Sequence, residues 1–493
     1  MRDQNVPSSS ARVSNLARTA ILVVLLAVLF QLGVSSRTAY LWSNIKNIDT
    51  PILYHGQHIT SNFFEGWYFK FVKLGGPEND LPQGMAIIPG IYRPPPKTAD
   101  QGGAHAFVMV LGLPGPERSA YYRFRTDEFV DLGGDGNGDK GAFRVRIGNS
   151  LFAHDEIILD LPVNNFDRIP ANELESFYAE ASQQYEAQYL ASNMSQTRPL
   201  PATFFRSLFP SLDELKQQEL QEPFTVQGHF TFPATTQTPL PTSRLIPSVM
   251  GFTAYIPFLE CNHGLASLHH PIQRGRIATL YANNEVQAEA IFDGGVGYTE
   301  KDWGINFPST WIWTQSNIFS VSPGSSILMS LASIPVLGPD ASEWILDHLP
   351  LASSLTHVPG MLLIYYHAAS KTLYNFSSYM LSSKIKSLSV TLNPDKRSQT
   401  VLLIATTQDP MNGQERIAIQ VKVTREMGTG VPLRAPSRAK GRMTMGVEET
   451  VVAHTQIKLW RVQSGEVIVE DVGLGSGLEV VGDIQWLEAR VNS

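Results

Sequence analysis

The chain has 493 residues, of which 17% are charged and 10% are aromatic, and its formal net charge is −7. So few charged residues exclude a disordered chain, and the slight acidity gives no support for nucleic-acid binding. The single cysteine, Cys261, excludes an internal disulfide and a cysteine-based zinc site. The length allows two or more domains with full hydrophobic cores.

The first predicted element is an apolar segment near the N-terminus. Three arginines in residues 1–18 precede a run of apolar residues at 19–34. A basic flank, an apolar run and small residues after it fit a cleavable signal peptide, and the long leader equally fits an uncleaved signal anchor. We expect an anchor helix at 19–36, with the leader in the cytosol and the body on the luminal or extracytosolic side of the endomembrane system.

The stretch FFEGWYFKF (63–71) predicts a strand in which one carboxylate lies among aromatic residues. Because successive side chains of a strand point to opposite faces, Glu65 shares a face with Trp67 and Phe69, whereas Lys70 lies on the other face. Lys70 indicates that its own face meets water, so Glu65 is expected on the apolar side. There the carboxylate either accepts hydrogen bonds from backbone amides or has a raised pKa, because burial disfavours its charged form.

Strand patterns dominate the chain after residue 50. Short alternating or apolar runs bounded by turn residues predict strands at 85–92, 105–113, 141–148, 156–163, 224–232, 361–368, 400–408, 416–424, 455–462 and 465–472. One helix is predicted at 172–191 from apolar residues at helical spacing, and a proline-rich stretch near 231–247 predicts a linker or crossing loop. The pattern predicts an all-β protein with two antiparallel barrels, at 50–245 and 246–493.

The stretch FLECNHGLASLHH (258–270) collects Glu260 and three histidines. His263 and His269 share a strand face because their spacing is even. Metal ligation needs three or more converging ligands, and nothing in this stretch supplies a third. We therefore expect no metal and interpret the histidines as core or edge residues, with an acid–base pair of Glu260 and His263 as the functional alternative.

The stretch GYTEKDWGINFPSTWIWTQSN (297–317) is the richest in candidate site residues. Alternation places Glu300 and Asp302 on one face of a strand. Neighbouring carboxylates drive their pKa values apart, which lets one of them hold a proton near neutrality. Trp311 and Trp313 then line one face of the following strand. The alternative interpretation is a surface cluster of a lysine and acids beside core tryptophans.

Several short motifs follow one another in a specific order. They are EGWYF at 65–69, EKDWG at 300–304, FP with WxWxQxN at 307–317, PLRAP at 432–436 and IKLW at 457–460. In this ordered set, from about residue 60 to 490, the chain resembles the tocopherol cyclase family. The resemblance implies two lipocalin-like β-barrels and an activity that closes a chromanol ring on a prenylated quinol without a redox cofactor. The plant members differ in having Asn at the position of Asp302 and in lacking the ECNHG box at 260–264.

Ring closure of this kind protonates a trisubstituted alkene while a phenol oxygen attacks the cationic carbon, so it needs a positioned acid and π-rich walls. The candidate acids are Glu65, Glu300 and Asp302, together with the pair Glu260 and His263. Candidate substrate-binding residues are Trp67, Tyr68, Phe69, Trp303, Trp311, Trp313, Gln315 and Asn317. No cofactor is expected, and the expected partners are a hydrophobic small molecule and a membrane.

Two alternatives to the cyclase remain open on the same fold. One is a non-catalytic carrier of lipids or isoprenoids, and the other is a hydratase or cyclase acting on another isoprenoid. An interior carboxylic acid that can donate a proton distinguishes the enzymes from the carrier, because a carrier needs none.

Overall fold

The structure is a computed structural model that describes residues 50–75, 82–96, 103–115, 118–133, 143–192, 200–243, 246–256, 259–335, 356–394, 397–438 and 440–493. The predicted leader and anchor helix, residues 1–36, lie outside these ranges. Within the ranges, no helix has the length and apolar character needed to cross a membrane.

The described residues form mainly antiparallel strands, which confirms the predicted all-β class. The strands of the first part of the chain are β1 (Phe63–Lys73), β2 (Gln83–Arg93), β3 (His105–Leu111), β4 (Ser119–Phe124), β5 (Phe129–Asp131), β6 (Arg144–Ile147), β7 (Ser150–Ala153), β8 (Glu156–Leu161), β9 (Thr225–Thr231), β10 (Cys261–Pro271), β11 (Arg274–Leu280), β12 (Val286–Ile291) and β13 (Val296–Gly304). Those of the second part are β14 (Trp311–Ser316), β15 (Ile318–Phe319), β16 (Ser326–Pro335), β17 (His357–His367), β18 (Thr372–Asn375), β19 (Lys384–Asn393), β20 (Ser398–Gln408), β21 (Arg416–Glu426), β22 (Val431–Ser437), β23 (Arg442–Arg461) and β24 (Val467–Val481).

The described residues form few α-helices, which pack beside the strands. They are α1 (Ala171–Ser192), α2 (Ala202–Arg206), α3 (Leu212–Glu219) and α4 (Ile484–Asn492). Helix α1 confirms the helix predicted at 172–191. It is held to the strands by hydrogen bonding, since the buried guanidinium of Arg425 on β21 donates to the hydroxyl of Tyr185 over 3.1 Å.

Strand pairing arranges the described strands in three sheets. The first has the order β10-β13-β1-β2-β3-β4, and the second has the order β12-β11-β9-β8-β7-β6-β5. The third has the order β18-β17-β16-β14-β24-β23-β21-β20-β19, with β15 on β24 and β22 on β23. Each order is an open path, so strand pairing within the described residues closes no barrel.

Strand pairing in the described residues runs across the predicted boundary near residue 245. Strand β13 pairs with β1, with Trp303 opposite Glu65, and β11 pairs with β9. The first two sheets therefore contain described strands from both sides of the proline-rich stretch near 231–247, up to Gly304. Proline marks an interruption of strand pairing, but it does not show whether the loop joins two domains or two strands of one domain.

The first sheet is buried on both faces. The side chains of Trp67, Phe69 and Phe71 pack into a core between the first and second sheets. The opposite face packs against the third sheet, which also curves around a core of its own. The prediction that Lys70 faces water is therefore wrong: the residue is 1% exposed, because the third sheet covers it. Its ammonium donates to Oε1 of Gln315 over 2.9 Å.

Candidate functional site

A cavity of about 420 Å³ lies where the first and third sheets meet. Most of its wall is apolar, as is typical of sites for hydrophobic small molecules. The aromatic side chains of the wall include Phe64, Tyr68, Phe107, Phe307, Trp311 and Trp313, and its acidic groups and histidine are His263, Glu300, Asp302, Glu449 and Glu479. The polar groups therefore form a small set within a hydrophobic enclosure.

Two of these carboxyl groups, Glu449 and Glu479, were not identified from the sequence. They lie opposite each other on the paired strands β23 and β24, where side chains on one face are in direct contact range. The hydroxyl of Tyr68 donates a hydrogen bond to Oε1 of Glu449. The indole Nε1 of Trp311 donates to Oε2 of Glu479 over 2.6 Å. Both carboxyl groups are thus held by aromatic donors.

The environment of this carboxyl pair favours the protonated form. Burial raises the pKa of Glu449 well above its usual value, and the neighbouring Glu479 raises it further, against a hydrogen bond from Tyr68 that lowers it. Burial also raises the pKa of Glu479 to about 7, against the hydrogen bond from Trp311. The second oxygen of Glu449, Oε2, is buried and has no hydrogen-bond partner. The pair can therefore hold a proton near neutrality, and one buried oxygen is available to carry it.

A second polar cluster lies around His263 on β10. Its Nδ1 is 2.8 Å from Oδ1 of Asp302, and its Nε2 is 3.2 Å from Oε2 of Glu300. Burial by itself lowers the pKa of His263, but the carboxylates of Glu300 and Asp302 raise it well above its usual value. The hydroxyl of Tyr298 donates to Glu300, and Sγ of Cys261 lies 3.8 Å from Asp302. As alternation predicted, Glu300 and Asp302 share one face of β13.

Glu65 lies outside the cavity wall and is fully buried. Its carboxylate accepts hydrogen bonds from the backbone amides of His55 over 2.8 Å and of Gly56 over 2.9 Å, and it pairs with the ammonium of Lys301. Burial raises the pKa of Glu65, but Lys301 and His55 outweigh this and lower it below its usual value. The geometry thus supports an ionised structural carboxylate rather than a general acid.

The three other aromatic residues proposed to line the pocket also lie elsewhere. Trp67 and Phe69 belong to the core between the first and second sheets, and the indole of Trp67 donates to the carbonyl of Ile52 over 2.7 Å. Trp303 stacks on His55 with ring centroids 4.3 Å apart. Strand alternation explains this, because these residues share the face of Glu65 and not the face of Tyr68.

The remaining candidates are near the site without lining the cavity. Gln315 accepts from Lys70, and the amide of Asn317 donates to the carbonyl of Gly297 over 2.8 Å, so both join the first sheet to the third. Glu260 precedes β10, and its backbone carbonyl accepts from the amide of Ile305 over 2.8 Å. Among the residues predicted for the site, the cavity wall contains Tyr68, His263, Glu300, Asp302, Trp311 and Trp313.

The two glutamates missed by sequence reasoning carry the same kind of signal as Glu65. In GVEETVVAH (446–454), two adjacent glutamates interrupt an apolar strand, so alternation directs one of them inward. In SGLEVV (476–481), Glu479 is the sole charged residue. What the sequence lacks is any sign that these two strands face the aromatic strand β1.

Comparison with known proteins bears on the same region. A family model described as tocopherol cyclase-like matches residues 193–342. None of the curated protein sequences matches the chain. Similar solved structures include CghA, with 9% identity, a TM-score of 0.40 and coverage of 85% of this chain and 88% of that chain. Another is kievitone hydratase from Nectria haematococca, with 9% identity, a TM-score of 0.33 and coverage of 88% and 94%.

The structural likenesses are too weak to carry an argument about function. The family match is more informative, because it covers the strands that supply His263, Glu300, Asp302, Trp311 and Trp313 to the cavity wall. Over residues 193–342, the resemblance to the tocopherol cyclase family is confirmed.

Proposed function

We propose that the protein is an isomerase that closes a chromanol ring on a prenylated quinol by transferring a proton to an alkene. The observation that carries this proposal is the pair of carboxyl groups of Glu449 and Glu479. They lie in the wall of an aromatic cavity, where burial raises the pKa of both groups. The tocopherol cyclase-like match over residues 193–342 supports the same class of reaction.

Glu449 is the acid in this proposal. Its unpartnered Oε2 carries the proton, while Tyr68 holds Oε1 and so fixes the plane of the carboxyl group. The proton adds to the less substituted carbon of the alkene, and the electron pair of the double bond forms the new C–H bond. The phenol oxygen then bonds to the cationic carbon and gives its proton to the carboxylate of Glu479. Transfer of that proton back to Glu449 resets the pair, and substrate and product are isomers.

Aromatic side chains stabilise the intermediate cation. Trp311 and Trp313 are part of the cavity wall, and the ring of Trp313 lies 5.4 Å from that of Tyr68. Faces of indole and phenol rings attract positive charge, most strongly where water is excluded. The apolar wall also favours attack by the tethered phenol over attack by water, which would give a hydratase product from the same cation.

The substitution Glu449→Gln tests the proposal. Glutamine keeps the size of the side chain and an acceptor for Tyr68, but it has no transferable proton. We expect the variant to bind prenylated quinols, measured by tryptophan fluorescence, and to lose ring closure by at least about 100-fold. Products are followed by chromatography and mass spectrometry over a panel of quinols that differ in ring methylation and tail length.

The control is Glu470→Gln, the same change on the neighbouring strand β24 at a side chain that is 69% exposed. We expect it to turn over like the unsubstituted protein. Normal turnover by Glu449→Gln would contradict the role of this acid. Binding of the quinols by the unsubstituted protein without any conversion would favour the carrier and reject the cyclase.

We also propose that residues 19–36 anchor the protein in a membrane, with its body on the luminal or extracytosolic side. The support is the apolar run that follows the basic leader. The anchor is tested by carbonate extraction of membranes from cells that express the tagged full-length chain. A variant without residues 1–36 is extracted in the same way for comparison. Protease protection of sealed microsomes tests the side, and release of the full-length chain by carbonate would contradict the anchor.

A further inference from the structure

The cluster of His263, Glu300 and Asp302 has a geometry that the acid–alkene chemistry does not use. One ligand atom from each residue lies within 4.8 Å of the others. Strand pairing builds this convergence, because His263 on β10 lies directly opposite Asp302 on β13, and Glu300 is two residues away on the same face. All three side chains are part of the cavity wall.

One atom of the cluster lacks the hydrogen-bond partner that a buried polar atom normally has. His263 is 9% exposed, and its Nε2 is buried without a hydrogen-bond partner. This nitrogen is 3.2 Å from Oε2 of Glu300, within the range of an ion pair but outside the geometry of a hydrogen bond. His263 is part of the cavity wall, and buried polar atoms nearly always have hydrogen-bond partners, so this nitrogen indicates a missing ligand.

The charge of the cluster also indicates that a ligand is missing. Two carboxylates share one imidazole, which leaves a net negative charge even when the imidazole is a cation. Burial of a net charge is costly unless a counter-charge or a metal ion compensates it. Glu300 is 3% exposed, and its Oε2 is already oriented by the hydroxyl of Tyr298. Oriented ligands of this kind are a regular feature of metal sites.

We propose that His263, Glu300 and Asp302 bind a divalent transition-metal ion at the wall of the cavity. One imidazole nitrogen with two carboxylates suits Zn²⁺ or Mn²⁺, whereas Ca²⁺ and Mg²⁺ prefer oxygen ligands alone. Three protein ligands would leave coordination positions open, and all three residues are part of the cavity wall. An oxygen of the ligand bound in the cavity, such as a phenol or a carbonyl, is the group that would complete the coordination.

The experiment measures binding and is independent of turnover, so it can succeed or fail separately from the proposed cyclase. Full-length protein is freed of metal with a chelator and titrated with Zn²⁺ by calorimetry, and with Mn²⁺ by electron paramagnetic resonance. We expect one equivalent to bind. We expect Glu300→Gln and Asp302→Asn each to weaken binding by at least tenfold, and Glu449→Gln, which changes another carboxyl group of the same cavity, to bind as the unsubstituted protein does.

Two results would overturn the proposal. One is the failure of the unsubstituted protein to bind a stoichiometric amount of either ion, a result that does not depend on how the variants fold. The other is equal affinity in the folded Glu300→Gln and Asp302→Asn variants, with folding checked by circular dichroism. Binding that the Glu449→Gln variant loses to the same degree would also overturn it, because the ion would then belong to the other carboxyl pair.

Discussion

Replacing Glu65 by glutamine tests whether this carboxylate stabilises the fold or transfers a proton. The side chain is fully buried, accepts from the amides of His55 and Gly56, and pairs with the ammonium of Lys301. Glutamine keeps the shape and one acceptor oxygen but removes the charge. The ammonium then stays between the rings of Trp67 and Trp303, 5.2 and 4.7 Å from their centroids, without its nearest counter-charge.

The contacts of Glu65 and Lys301 determine how much stability the Glu65→Gln variant should lose. Removing one partner of a buried ion pair costs about 3–5 kcal/mol, because the other charge is left uncompensated. Burial already lowers the pKa of Lys301 to about 8, against the opposing effect of Glu65. Without Glu65 this pKa falls further, and loss of the proton limits the penalty. We therefore expect the free energy of unfolding to fall by about 3 kcal/mol, the lower end of that range.

Urea denaturation at neutral pH measures this change. The double variant Glu65→Gln/Lys301→Met removes both charges, and we expect it to be less destabilised than the sum of the single variants by about 0.5–3 kcal/mol. Folded Glu65→Gln should still close the ring, because its carboxyl group lies outside the cavity wall. A variant with unchanged stability and no turnover would refute this reasoning and restore Glu65 as the acid.

Three further predictions follow from the same contacts. Turnover should rise as pH rises through about 7, since burial raises the pKa of Glu479 to about 7 and the proposed reaction needs its carboxylate to accept the phenol proton; a rate that stays flat across this range would contradict this. Lys70→Met removes a positive charge that lowers the pKa of Glu449, so the alkaline limb of the pH–rate profile should move to higher pH; an unmoved limb would show that Lys70 does not act on the acid. Gly304→Ala should lower the melting temperature, because its methyl group would clash with a backbone carbonyl, whereas Gly446→Ala, whose nearest neighbouring atoms are 3.9 Å away, should not; equal melting temperatures would reject the close approach.

Local periodicity explains the parts of the fold that sequence reasoning found. The alternation of FFEGWYFKF placed Glu65, Trp67 and Phe69 on one face of β1, and that of EKDWG placed Glu300 and Asp302 together on β13. Helix α1 followed from apolar residues at helical spacing. These predictions hold because the direction of a side chain relative to its neighbours in one strand or helix depends on the backbone of that element alone.

Which face of a strand meets water depends on distant parts of the chain. Lys70 was expected at the surface because a charged side chain usually is, but the third sheet covers it and supplies neutral acceptors such as Gln315. Likewise, the pairing of β13 with β1 joins strands that lie on either side of the proline-rich stretch. A proline-rich stretch indicates only where strand pairing is interrupted. It does not indicate which strands pair with each other on either side of it.

The amino-acid sequence by itself determined part of the strands, which of their residues share a face, the family resemblance and the presence of acids within apolar strands. Tertiary structure alone decided what those acids do. It pairs Glu65 with Lys301, brings Glu449 to Tyr68, and places His263 between the carboxyl groups of Glu300 and Asp302. The physical reason is that the pKa of a buried carboxyl group is set by its partners, and these partners come from strands far apart in the sequence whose meeting depends on packing across the whole molecule.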